Sequence, residues 1–213
     1  MAIEAIYFRL YLITDRRMFD SVESFCRVVE QALSAGVKAL QLREKDMMTR
    51  ELLDLSYRMR DLCWRYGAKL YINDRLDIAL SASADGIHVG RSSIPLKDLR
   101  RVVGTKLKIG YSAHSTEEAV EAYDDGADFI TLGPIFPTPS KMQYGDPVGL
   151  KPLRETTERV GVPVFGIGGI KSGNISEVMS CGASGIALIS GILSAGDPAA
   201  SAREYLKKVG ERK

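Results

Sequence analysis

The chain is poor in histidine, tryptophan and cysteine, and these shortages narrow what it can be. Its 213 residues hold two histidines, His88 and His114, and one tryptophan. Its three cysteines, Cys26, Cys63 and Cys181, stand far apart, with no CxxC spacing and no histidine pair nearby. That spacing argues against a zinc site or a disulfide framework and fits a reducing compartment. No apolar run approaches the roughly 18 residues that a membrane-spanning helix needs. The formal net charge of +2 is too small to argue for nucleic acid or an anionic membrane surface as a partner. No GxGxxG follows the first apolar run, so the usual mark of an open dinucleotide-binding sheet is missing. The opening MAIEAIYFRLYLIT has an acid early and no small-residue cleavage site, and it reads as a first strand rather than a signal peptide.

What is present is one repeating unit. Short apolar, β-branched runs at 6–14, 37–42, 68–73, 85–89, 107–112, 127–133, 162–168 and 184–190 alternate with helically spaced stretches at 21–35, 49–66, 75–83, 95–103, 115–125, 149–160, 172–181 and 198–209. Strands alternating with helices imply parallel βαβ units. In AGVKAL, DGADFI and CGASGI, a glycine stands where a helix should stop and the next run begin. Eight such units predict a single (β/α)8 TIM barrel over residues 1–213, with the active site on the loops that follow the strands.

Those strand ends carry the chemistry. Thr14-Asp15-Arg16-Arg17 reads as a solvated turn capping the first helix. Gln41, Arg43 and Lys45 alternate along the end of the second run, and their cations suit a phosphorylated ligand. Asn73 and Asp74 end the third run, either as a helix cap or as oxygen donors for Mg²⁺. In HVGRSSIP, Ser92 or Ser93 caps the fourth helix, and His88 is a hydrogen-bonded core residue. Ser112 ends the fifth run and His114 follows as an acid–base candidate, just ahead of a Ser115/Glu118 capping box. The longest loop, 133–147, offers Thr138, Ser140 and Lys141 to an oxyanion. Gly168 and Gly169, with Ile189 and Ser190, form the phosphate cradle that barrels often place after strands 7 and 8. The mouth thus has two anion sites, Arg43/Lys45/Lys141 and Gly168/Gly169/Ile189/Ser190.

Taken together, YLITDR, QLREKD, INDR, DGIHVG, YSAHS, GPIFPTPSK, GIGGI and ALISGI resemble the thiamin phosphate synthase/TenI family, in order along nearly the whole chain. The resemblance implies condensation of hydroxymethylpyrimidine diphosphate with thiazole phosphate, by a Mg²⁺-assisted dissociative path. It places Gln41, Arg43 and Lys45 on the diphosphate, with Asn73, Ser112 and Lys141 on the pyrimidine substrate. Asp74 falls on a metal ligand, Thr138 and Ser140 on the hydroxyls beside the thiazole phosphate, and Gly169, Ile189 and Ser190 on its cradle. Synthases usually carry a second metal-binding acid where this chain has Ser93. The alternatives are therefore a metal-independent TenI-type thiazole tautomerase with His114 as base, or a non-catalytic binder of thiazole phosphate. The retained GPIFPTPSK, Arg43, Lys45 and Asp74 favour the synthase. The family is commonly cytoplasmic and often oligomeric, and its partners are small phosphorylated molecules.

Overall fold

The computed structural model describes residues 5–138 and 146–210. Eight parallel strands close on themselves in sequence order: β1 (Leu10–Ile13), β2 (Ala39–Leu42), β3 (Lys69–Asn73), β4 (Gly86–Gly90), β5 (Lys108–Ala113), β6 (Phe129–Leu132), β7 (Val164–Ile167) and β8 (Gly185–Leu188). The seam is the β1–β8 pairing, with Leu10 opposite Ile186 and Leu12 opposite Leu188. Several strands are buried along their whole length because helices cover one face and the barrel interior the other. This double burial is why they read as continuous apolar runs.

The helices are α1 (Val22–Ser34), α2 (Thr49–Arg65), α3 (Leu76–Ser81), α4 (Leu96–Val103), α5 (Thr116–Asp124), α6 (Leu150–Arg159), α7 (Ile175–Ser180), α8 (Ser190–Leu193) and α9 (Pro198–Val209). The three anticipated helix-ending glycines, Gly36, Gly126 and Gly182, have φ of +111°, +98° and +85°. Local signals set the starts: Ser21 Oγ accepts from the Ser24 amide, and Asp197 accepts from the Ala200 amide with Pro198 at the first helical position.

Three expected caps are corrected. Asp15 caps a 3₁₀ turn at Arg16–Met18, while Ser21 caps α1. Asn73 and Asp74 do not cap α3, whose first turn follows Arg75 with no side-chain cap. Neither Ser92 nor Ser93 caps α4, whose N-cap is Pro95. The first run is also shorter as a strand than its composition predicts. Ile6 and Phe8 pack into the barrel base instead of extending the ladder.

That base is aromatic. Phe8, Tyr11, Tyr71, Phe129 and Phe165 are buried together. Their rings meet at 5.1 Å for Phe8–Phe165 and 5.2 Å for Tyr71–Phe129, within the range of favourable aromatic pairs. The barrel is therefore filled with side chains at its lower end.

Candidate active site

The barrel brings the ends of β2, β3, β4 and β5 to one mouth, where their side chains connect. The β1 and β2 ends are joined by Glu44, which is buried. Thr14 Oγ1 donates to Glu44 Oε1 at 2.5 Å, the Arg16 amide donates to Oε2 at 2.9 Å, and Thr14 Oγ1 in turn accepts from the Arg43 amide at 2.9 Å. Burial raises the Glu44 carboxyl above its ordinary value, against the lowering effect of its Thr14 and Arg16 hydrogen bonds. Thr14 and Glu44 thus fix the backbone that carries Arg43. Sequence reading missed both, taking Thr14 for part of a solvated turn and giving the acid no role. The signal was a buried-type hydroxyl at the end of β1, across from that acid.

Glu44 is spent on hydroxyl and amide donors, so it does not neutralise its neighbours. Among the described residues, neither Arg43 nor Lys45 forms an ion pair with a carboxylate, while Arg16 beside them pairs with Asp46 at 2.8 Å. Burial, and then the Arg43 charge, lower the His88 imidazole, while the Arg17 hydrogen bond, with a smaller part from Arg43, lowers the Asp15 carboxyl.

At the β3 end, Asp74 sits at φ +58°, a left-handed conformation, inside a tight turn closed by the Arg75 amide on the Asn73 carbonyl at 2.7 Å. Its Oδ2 accepts from Asn73 Nδ2 at 2.8 Å, and its Oδ1 accepts from Ser93 Oγ. Ser93 Oγ also accepts from the Gly90 amide at 2.8 Å. Asn73, Asp74 and Ser93 therefore form one connected group. Among the described residues no set of three or more His, Cys, Asp or Glu side chains is placed to hold a metal.

Ser112 lies on β5, above buried His88. His114 stands just past the strand end, half exposed, with its Nδ1 3.6 Å from Glu118 Oε2. The expected capping box is half formed. Ser115 Oγ accepts from the Glu118 amide at 3.1 Å, but the Glu118 carboxylate takes the His114 amide at 2.8 Å and the Tyr111 hydroxyl at 3.1 Å. Burial, and then the charge of Glu118, push the Tyr111 phenol up to about 12.

On the other side of β1, Gly168 and Gly169 have φ of +90° and +66°. The loop after β6 lies against them: the Ile135 amide donates to the Ile167 carbonyl at 2.8 Å, and the Phe136 amide to the Gly168 carbonyl at 3.1 Å. A Cβ on Gly168 would fall 2.6 Å from Pro134, and one on Gly169 2.6 Å from the Phe136 carbonyl oxygen, so only glycine fits. Asn174 ties the same loop, donating to the Gly169 carbonyl at 3.1 Å and accepting from the Lys171 amide at 2.8 Å. Ile189 precedes the first turn of α8, which Ser190 begins. Thr138 follows Phe136 by two residues, while Ser140 and Lys141 lie outside the described residues.

A family model described as thiamine monophosphate synthase matches residues 10–192. The chain belongs to the thiamine monophosphate synthase family. It is 50% identical over 199 residues to a putative thiamine-phosphate synthase of Geobacter sulfurreducens, with 93% of each chain covered. It is 42% identical over 199 residues to a thiamine-phosphate synthase of Desulfitobacterium hafniense strain Y51, covering 93% of this chain and 96% of that one. The solved thiamine phosphate pyrophosphorylase from Pyrococcus furiosus matches with a TM-score of 0.86 at 39% identity, over 95% of both chains. This thiamine monophosphate synthase family member therefore keeps the family's barrel along its length. No helix among the described residues is long and apolar enough to cross a membrane.

Proposed function

We propose that this barrel is a thiamine-phosphate synthase, a transferase that joins hydroxymethylpyrimidine diphosphate to thiazole phosphate and releases diphosphate. The observation that carries the reading is the gathering of two cations and a glycine turn on one mouth, on either side of β1, which suits two anions, in a chain 42–50% identical to relatives of that name. One place has the Arg43 and Lys45 cations, unpaired with carboxylates among the described residues. The other has the glycine turn at 168–169 and the start of α8. A condensation of two phosphorylated molecules needs both.

Arg43 and Lys45 hold the diphosphate and spread the charge that develops on it as the carbon–oxygen bond breaks. Asn73 and Ser112 position the pyrimidine. The backbone of Gly168, Gly169, Ile189 and Ser190, with Thr138, holds the thiazole phosphate so that the thiazole nitrogen faces the pyrimidine methylene carbon and captures it. By the family resemblance, Ser140 and Lys141 complete the two subsites.

Asp74 suits Mg²⁺ of the kind that takes one protein carboxylate and completes its shell with ligand phosphate and water. Among the described residues its oxygens hydrogen-bond to an amide and a hydroxyl and pair with no cation. Bound at Asp74, the ion would neutralise charge on the diphosphate. Ser93 brings a hydroxyl to the same place, where a carboxylate would bind the ion more strongly.

A second reading, thiazole tautomerisation with His114 as base, is favoured by one observation: that side chain is half exposed at the mouth, beside Glu118. Incubation with both phosphorylated substrates, across a range of Mg²⁺ concentrations, separates the two. Thiamin phosphate and diphosphate in equal amounts support the synthase. Their absence at every Mg²⁺ level sinks it, and turnover of the non-aromatic thiazole tautomer would then support the other.

A further inference from the structure

Beneath the mouth, a chain of hydrogen bonds crosses the barrel interior and joins two of the proposed substrate-binding residues. Gln41 Nε2 donates to the Tyr11 hydroxyl at 3.1 Å. Tyr11 Oη lies 3.3 Å from His88 Nδ1, and His88 Nε2 lies 2.9 Å from Ser112 Oγ. Ser112 Oγ is 3.3 Å from Thr131 Oγ1, which also lies 3.4 Å from His88 Nε2 and donates to the Tyr111 carbonyl at 3.5 Å. Tyr11, Gln41, His88 and Thr131 are each no more than 1% exposed. The ring has one place to sit: a Cβ on Gly110, its register partner on β5, would be 2.4 Å from Nδ1.

Proton counting gives the chain a direction. The Tyr11 oxygen already accepts from Gln41, so its own proton is free to go to His88 Nδ1, leaving the imidazole proton on Nε2. Nε2–H then donates to Ser112 Oγ. The serine proton is left to point at Thr131 or up into the mouth.

We propose that Tyr11 and His88 are positioning residues. They hold Ser112 with its hydroxyl proton available to the bound pyrimidine and fix the Gln41 side chain by its Nε2. The inference rests on the synthase reading for the identity of the ligand, but not for the direction of the chain. It also explains why the interior beneath the reaction is polar yet uncharged. A cation there would oppose positive charge developing on the pyrimidine methylene carbon.

Long-range ¹H–¹⁵N correlation of the imidazoles reads the direction without catalysis. With two histidines in the sequence, the spectrum of His114→Ala assigns the other signal. The expected result is the Nε2–H tautomer of His88 at neutral pH, and a mixed or reversed tautomer in Tyr11→Phe. An Nδ1–H tautomer in the wild type overturns the proposal. In steady-state kinetics, Tyr11→Phe raises KM for the pyrimidine diphosphate about three- to tenfold. On a Ser112→Ala background it adds nothing further, whereas a purely structural role would give additive losses. If the tautomer is as expected but no condensation occurs, the synthase reading fails and the relay stands.

Discussion

The two ends of the barrel treat charge in opposite ways. At the lower end, Asp85 accepts from the Leu70 amide at 2.8 Å and pairs with Arg60 at 2.5 Å and Lys69 at 3.3 Å. Two strands on, Asp128 repeats the arrangement with the Ile109 amide at 2.8 Å, Lys108 at 3.0 Å and Arg100. Each acid ties a strand to its neighbour and to the helix outside. At the mouth, Arg43 and Lys45 are without a carboxylate partner among the described residues, and Asp74 is bonded to an amide and a hydroxyl instead of a cation. Charges satisfied inside the protein hold the fold; charges left over at the mouth are available to a ligand. Substitutions at the two ends should therefore separate activity from stability.

The largest expected effect is at the mouth. Arg43→Ala should lower kcat/KM about a hundredfold while moving the melting temperature by no more than about 2 °C, as steady-state kinetics and a thermal melt will show. At the lower end the reverse holds. Asp85→Ala should lower the unfolding free energy by about 2 kcal/mol, measured by urea denaturation, and leave kcat of the folded enzyme unchanged.

The same aspartate gives a pH signature. Burial alone would raise the Asp85 carboxyl, but the Leu70 amide, Arg60 and Lys69 bring it below its ordinary 3.8. Its folded pKa is thus the lower one. Its contribution is fully present above the unfolded value and is lost as pH falls through the folded one. The stability gap between wild type and Asp85→Asn should stay constant near neutrality and narrow below about pH 4.

A smaller effect is expected at the cradle. Gly169→Ala should raise KM for thiazole phosphate about tenfold, because a Cβ at φ +66° meets the Phe136 carbonyl. An unchanged KM would remove the cradle from the account. Smallest of all, Ser93→Asp should tighten Mg²⁺ binding about three- to tenfold, read by calorimetry with diphosphate present.

The barrel was legible in the sequence because parallel strands buried on both faces leave continuous apolar runs, and because Gly36, Gly126 and Gly182 punctuate the helix ends. The gathering of Gln41, Arg43, Asn73, Asp74 and Ser112 at one mouth followed from that phasing alone. What stayed hidden depends on contacts between distant strands. Glu44 looks like one more surface charge until Thr14 arrives from β1 to meet it. His88 could be read as a bonded core residue, but its partners come from three other strands at spacings with no local pattern. Ser93 looked like a cap, and only the turn at Asp74 shows its hydroxyl committed to that carboxylate.

If one mouth holds two independent anion subsites, calorimetric titration will count them. Wild-type protein titrated with diphosphate, then with thiazole phosphate in the presence of saturating diphosphate, should bind one of each. Arg43→Ala should weaken only the first and Gly169→Ala only the second. Mutual exclusion of the two ligands, or loss of both to either substitution, would contradict the account.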